Sequence, residues 1–62
     1  MTTTIWIDTD ENAVILSRDD GERVDDIEIK AFVEPKAAYR FAVDLETFMR
    51  AWGVDVELES ER

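Results

Sequence analysis

The side chains that this sequence offers for chemistry in any number are carboxylates. Sixteen Asp and Glu stand against seven Lys and Arg, and there is no histidine and no cysteine. The usual general base near neutral pH and the usual thiolate nucleophile or metal ligand are therefore absent. Ser17 and Ser60 have no residue beside them suited to activating a hydroxyl. Paired carboxylates can exchange protons, but only in a concave and partly desolvated site, which a chain of 62 residues rarely builds. No catalytic residue, cofactor or metal is expected. Asp8-x-Asp10-x-Asn12 has the oxygen spacing of the first half of a calcium loop. Ala13 then stands where that loop turns on a glycine, and Asp19 where its bidentate glutamate belongs. An acidic hairpin turn is the simpler reading.

Two groups of acids remain. Asp19, Asp20, Glu22, Asp25 and Asp26 surround Gly21, diluted by Arg18 and Arg23. Asp55, Glu57, Glu59 and Glu61 occupy every second position near the end of the chain. On a strand such residues share one face about 6.8 Å apart. DNA carries a phosphate every ~3.4 Å of axis on each strand, so the row has a spacing of the same order. The same alternation also keeps an exposed strand from pairing with other chains.

The elements that must position these groups follow from hydrophobic periodicity. Ile5 and Ile7 alternate with Thr4, Trp6 and Asp8 in a first strand, and Ala13 to Arg18 reads as a second. Asp20-Gly21 supplies the positive φ that a tight hairpin needs. In the next strand Ile27, Ile29, Ala31 and Val33 fall on one face, and Asp26, Glu28, Lys30 and Phe32 on the other. Pro35 ends it, and Tyr39, Phe41 and Val43 mark a fourth strand. Asp44 is a favoured N-cap for a short helix whose Leu45, Phe48, Met49 and Trp52 form a core-facing stripe. Gly53 suits its C-terminal stop, and Val54, Val56 and Leu58 alternate in a last strand. The expected fold is α+β: a small antiparallel sheet of four to five strands with one short helix on one face, in the order ββββαβ.

Length bounds this to one domain over 1–62. A charge of −9 works against compaction, yet 45% hydrophobic residues, two Trp, three Phe and one Tyr suffice for a core. Nothing resembles a leader, and no apolar run approaches the ~18 residues of a membrane span. A cytoplasmic monomer is expected.

Parity places Trp6 opposite Ile5 and Ile7, and Phe32 opposite Ile27 and Ile29. Both aromatics, with Ile15, are thus expected on the sheet face that the helix leaves open. An apolar centre ringed by carboxylates suits a partner surface. Small size, absence of cysteine, acid excess and acids laid along strands and turns together resemble the small phage-encoded DNA-mimic inhibitors of the anti-CRISPR type. The resemblance covers the chain in overall character and rests on no motif. It implies a non-catalytic inhibitor, acting in the host-cell cytoplasm, that blocks the nucleic-acid-binding surface of a basic protein or CRISPR effector subunit. Such a protein would not itself bind nucleic acid or membrane. Asp19, Asp20, Glu22, Asp25, Asp26, Asp55, Glu57 and Glu59 would stand in for phosphates, with Trp6 and Phe32 as anchors. Two other readings fit the composition: a housekeeping domain of a halophilic organism, its surface acidic throughout, and an antitoxin-like small regulator.

Overall fold

Alternating apolar residues and two acidic turns build a three-strand meander. Strands β1 (Thr4–Asp10), β2 (Ala13–Asp19) and β3 (Val24–Ala31) pair antiparallel in sequence order. Helix α1 (Pro35–Ala51) then crosses the sheet, and β4 (Val56–Leu58) lies parallel to β1, giving the order β3-β2-β1-β4. The structure, a computed structural model, describes residues 3–59; Ser60 and the Glu61 end of the carboxylate ladder lie outside the described residues. The α+β class and the four strands agree with the sequence reading. The sheet is mixed rather than wholly antiparallel, the helix is 17 residues long, and the order is βββαβ rather than ββββαβ.

The expected fourth strand is the first half of the helix. Tyr39, Phe41 and Val43 alternate, but Ala38, Phe41, Ala42, Leu45 and Met49 recur at helical spacing, and these are the residues that pack inward. Pro35 opens the helix instead of only ending a strand: its fixed φ suits the first turn, where no N–H partner is needed. Ala38 and Ala42 are fully buried against Ile7, Val14 and Val56, so the helix backbone lies close to the sheet. Gly53, at φ 87, ends the helix as expected. Its N–H donates to the Arg50 carbonyl at 3.0 Å, and the Val54 N–H donates to Met49 at 3.0 Å, the paired bonds of a Schellman stop.

Phe32 lies on the other side of the sheet from the one its parity suggested. Between β2 and β3 the register moves from Val14↔Lys30 to Ile15↔Glu28, so Ile29 is the extra residue of a bulge. A one-residue insertion exchanges the faces of everything after it. Phe32 therefore packs on the core, its ring 5.4 Å from that of Phe41, with the Lys30 ammonium over the Phe32 ring at 5.4 Å from its centroid. Asn12 fixes this end of β3: its side-chain amide donates to the carbonyls of Phe32 and Val33, and its own carbonyl accepts from the Phe32 N–H.

The helix contacts β1, β2 and β4 but hardly reaches β3. A helix about 10 Å across spans roughly two of the ~4.8 Å strand spacings, so four strands are too wide for it. Two expected core residues are casualties of this offset. Phe48 is 60% exposed and Trp52 75% exposed, their rings 6.0 Å apart on the helix flank. Only Leu45 and Met49 of the expected stripe pack on the core.

Candidate partner-binding face

Strand register decides which acids meet. Residues paired across strands project to the same face. Ile5, Ile7, Val14, Leu16 and Val56 define the face under the helix. The open face then consists of three rows running from β3 to the β4 side and a fourth, of Ala31, Ala13 and Asp10, at its edge. The middle row is Asp26, Ser17, Trp6 and Glu57; the row beside it is Glu28, Ile15 and Asp8. Asp19 pairs with Thr4 in the third. Asp10 ends β1 with the same parity, and Asp55 and Glu59 flank Glu57 with its parity. The Glu59 N–H donates to the Ile7 carbonyl at 2.8 Å, which extends the β1–β4 pairing by one residue.

The sign of charge is sorted by face. Asp8, Asp10, Asp19, Asp26, Glu28 and Glu57 are on the open side of their strands, while Arg18 and Lys30 pair with Ile5 and Val14 on the helix side. Lys36, Arg40 and Arg50 are on the helix, and Arg23 is in the β2–β3 turn. Among the described strand residues, therefore, the open face carries acids and no base. None of the described carboxylates is buried, which suits contact with a partner better than proton transfer.

The apolar centre of this face is Trp6 with Ile15, both half-buried. Ser17 is only 4% exposed although no helix lies over it. The bulky side chain of its row is Trp6, its cross-strand partner. Trp6 thus sits where the sequence placed it, in the middle of the carboxylates. Phe32 does not join it.

The turn acids do a different job. The Asp19 carboxylate accepts the Gly21 N–H at 2.9 Å, and Asp20 accepts those of Glu22 and Arg23 at 3.0 and 3.1 Å. Asp25 lies on the helix side of β3, opposite Arg18, and is bridged by Arg18 at 2.6 Å and Arg23 at 3.1 Å. The sequence cluster is therefore split. Asp26 belongs to the open face, Asp25 is neutralised on the other side, Asp19 and Asp20 hold the turn, and Glu22 is exposed at its tip. Conversely, Asp8 and Glu28 stand on the face although the sequence reading placed neither among the partner-binding acids. Asp8 shares the parity of Trp6, and Glu28 that of Asp26, so alternation alone could have found them.

The turn network has a pH signature. The Glu22 and Arg23 N–H groups hold Asp20 below its ordinary 3.8, and the Arg18 guanidinium, then that of Arg23, does the same for Asp25. A depressed carboxylate stabilises the fold above its unfolded value and loses that contribution as pH falls through the lower folded one. Asp25→Asn is therefore expected to melt below the parent by a constant margin from pH 7 to about 5, with the gap closing below 3.8. Thermal melts across that range measure it. A gap that persists undiminished at pH 2 would show that the arginine bridges are not its source.

No protein-family model matches this chain, and neither a curated protein nor a solved structure shows a significant likeness to it. The functional reading therefore rests on the face itself.

Proposed function

We propose that this protein is a non-catalytic binding protein whose open sheet face occupies the nucleic-acid-binding surface of a basic partner. The observation that carries the reading is the sorting of charge: among the described strand residues, acids and no base on one face, around a half-buried tryptophan. A surface made acidic only for solubility has no reason to be sorted by face. That separates this reading from a halophilic housekeeping domain, which needs acid on every side.

The arrangement suits competition with nucleic acid. Asp26 and Glu28 border the face on β3, and Asp55, Glu57 and Glu59 border it on the β4 side. Three strand spacings separate the borders, or about 14 Å, of the order of the ~12 Å width of a DNA major groove. Carboxylates on this frame meet the Lys and Arg side chains that would otherwise hold phosphates, and they accelerate encounter at low salt. Exposed ion pairs are each worth only ~0–1 kcal/mol, so lasting association needs an apolar anchor. Trp6 is the central candidate, half-buried in the middle of the carboxylates. An anti-CRISPR-like inhibitor of an effector subunit is one instance of this mechanism, and an antitoxin covering a basic toxin is another.

The test is capture at low salt from the cells in which the protein acts, followed by elution with either salt or nucleic acid. A nucleic-acid-binding protein released by its own DNA or RNA, at an ionic strength that leaves other captured proteins bound, is the expected result. Capture of proteins that nucleic acid does not release, and whose binding ignores substitutions on the open face, would remove the reading.

A further inference from the structure

The side of the molecule opposite the acidic face has its own unfinished surface, independent of the proposal above. Because the helix hardly reaches β3, a groove of about 250 Å³ lies open along the second half of α1, lined by Ile5, Leu16, Ile27 and Met49, with Arg18 and Asp25 at its lip. Ile27 points to this side, paired with Leu16, and is 60% exposed. Beside the groove stand the exposed Phe48 and Trp52. Two contacts show which flank of the helix they occupy. Phe41, two turns before Phe48 on the same flank, packs on Phe32 at the end of β3, whereas Arg50 on the opposite flank donates to the Val56 carbonyl of β4 at 2.9 Å. The aromatic pair therefore overlooks the β3 side.

A projecting aromatic pair next to an apolar hollow is self-complementary. We infer that two copies of this chain associate through this side, each placing Phe48 and Trp52 in the other's groove between α1 and β3. A two-fold arrangement requires knob and hollow on one surface, and that is how they lie here. Charge selects a second copy over a basic partner. Among the described residues of helix and strands, Arg18, Lys30, Lys36, Arg40 and Arg50 more than offset Asp25, Asp44 and Glu46 on the helix side, whereas the open face carries acids alone, pointing away. The chain's net repulsion is thus directed outward, and both acidic faces stay free for a partner. An aromatic residue buries roughly 150–250 Å² when covered completely. Two partly exposed ones with Ile27 fall short of the ~800 Å² per partner of a tight complex, so the dimer is weak and reversible. It departs from the monomer expected from the sequence.

Sedimentation equilibrium of the purified protein over about 10 µM to 1 mM decides the matter, a range suited to a weak complex. The mass is expected to rise from 7.2 kDa toward twice that value, and to rise at lower concentration in 0.5 M salt, where repulsion is screened. Phe48→Gln with Trp52→Gln keeps the charge, and Ile27→Arg fills the hollow while reducing net charge. All three positions are exposed, and each variant should keep the parent's circular dichroism and stay monomeric throughout. A parent that remains at 7.2 kDa at 1 mM in high salt overturns the inference, as does a dimer that survives both variants.

Discussion

Ile7→Ala is expected to leave little of the domain folded at 25 °C, whereas Phe48→Ala should be almost without effect. Ile7 is fully buried in β1, an interior strand, with Val14 and Val56 in the core beside it and Ala38 and Ala42 on the helix side. Removing its outer carbons costs roughly 2–5 kcal/mol, and the cavity cannot close easily because alanines already bring helix and sheet together. At about 0.05–0.15 kcal/mol per residue, a domain of 62 residues holds only ~3–9 kcal/mol in total. There is no disulfide to make up the loss. Phe48 was expected from its spacing to be core, with a cost of ~3–5 kcal/mol on truncation. Its 60% exposure reduces that to the ~0.5 kcal/mol of an ordinary surface change. Urea melts of the two variants beside the parent measure both effects. Equal losses, or a larger one for Phe48, would mean that the helix sits on the sheet differently from the way described here.

That contrast shows where periodicity could be read and where it could not. β1, β2, the Asp-Gly turn, the Gly53 stop and the last strand followed from alternation and turn chemistry, because each is a local preference with one strong reading. The segment from Tyr39 to Val43 carries both periods at once. Its large residues alternate like a strand, while the residues that face the sheet at helical spacing include Ala38 and Ala42, which contribute little to any hydrophobic pattern. Alanine matters there through its small size, and closeness of packing is a tertiary property. The bulge at Ile29 left no mark either, since neither glycine nor proline announces it, yet it alone turned Phe32 from the open face to the core. The acidic face lay between these cases. Grouping acids by closeness in sequence mixed Asp25 with Asp26, which point to opposite sides. Grouping them by register collected Asp8, Glu28 and Glu57 around Trp6, from three strands far apart in the chain.

The second large effect belongs to that face. Changing Asp8, Asp26, Glu28 and Glu57 together to their amides removes charge from the centre and both borders without touching the turn network or the core. Electrostatic steering is worth ~10–10³ in association rate, so the on-rate for a basic partner should fall at least tenfold at low salt, with much of its salt dependence lost. Trp6→Ala should act on the other rate constant. A central anchor is worth about 2 kcal/mol or more, so dissociation should quicken by roughly thirtyfold while association is little changed.

Total charge and surface charge pattern must be separated, because any protein of charge −9 attracts a cation. The most direct measurement compares two variants of equal net charge. One carries the four open-face amides; the other carries amides at Glu11, Glu22, Glu34 and Asp44, all exposed and outside the open-face rows. Stopped-flow association with one arginine-rich nucleic-acid-binding peptide, across a salt series, reads both. The open-face variant is predicted to lose at least tenfold in on-rate and most of its salt slope, with the other variant remaining within about twofold of the parent. Equal losses in the two variants would contradict the account, leaving the carboxylates as solvated charge with no binding face among them.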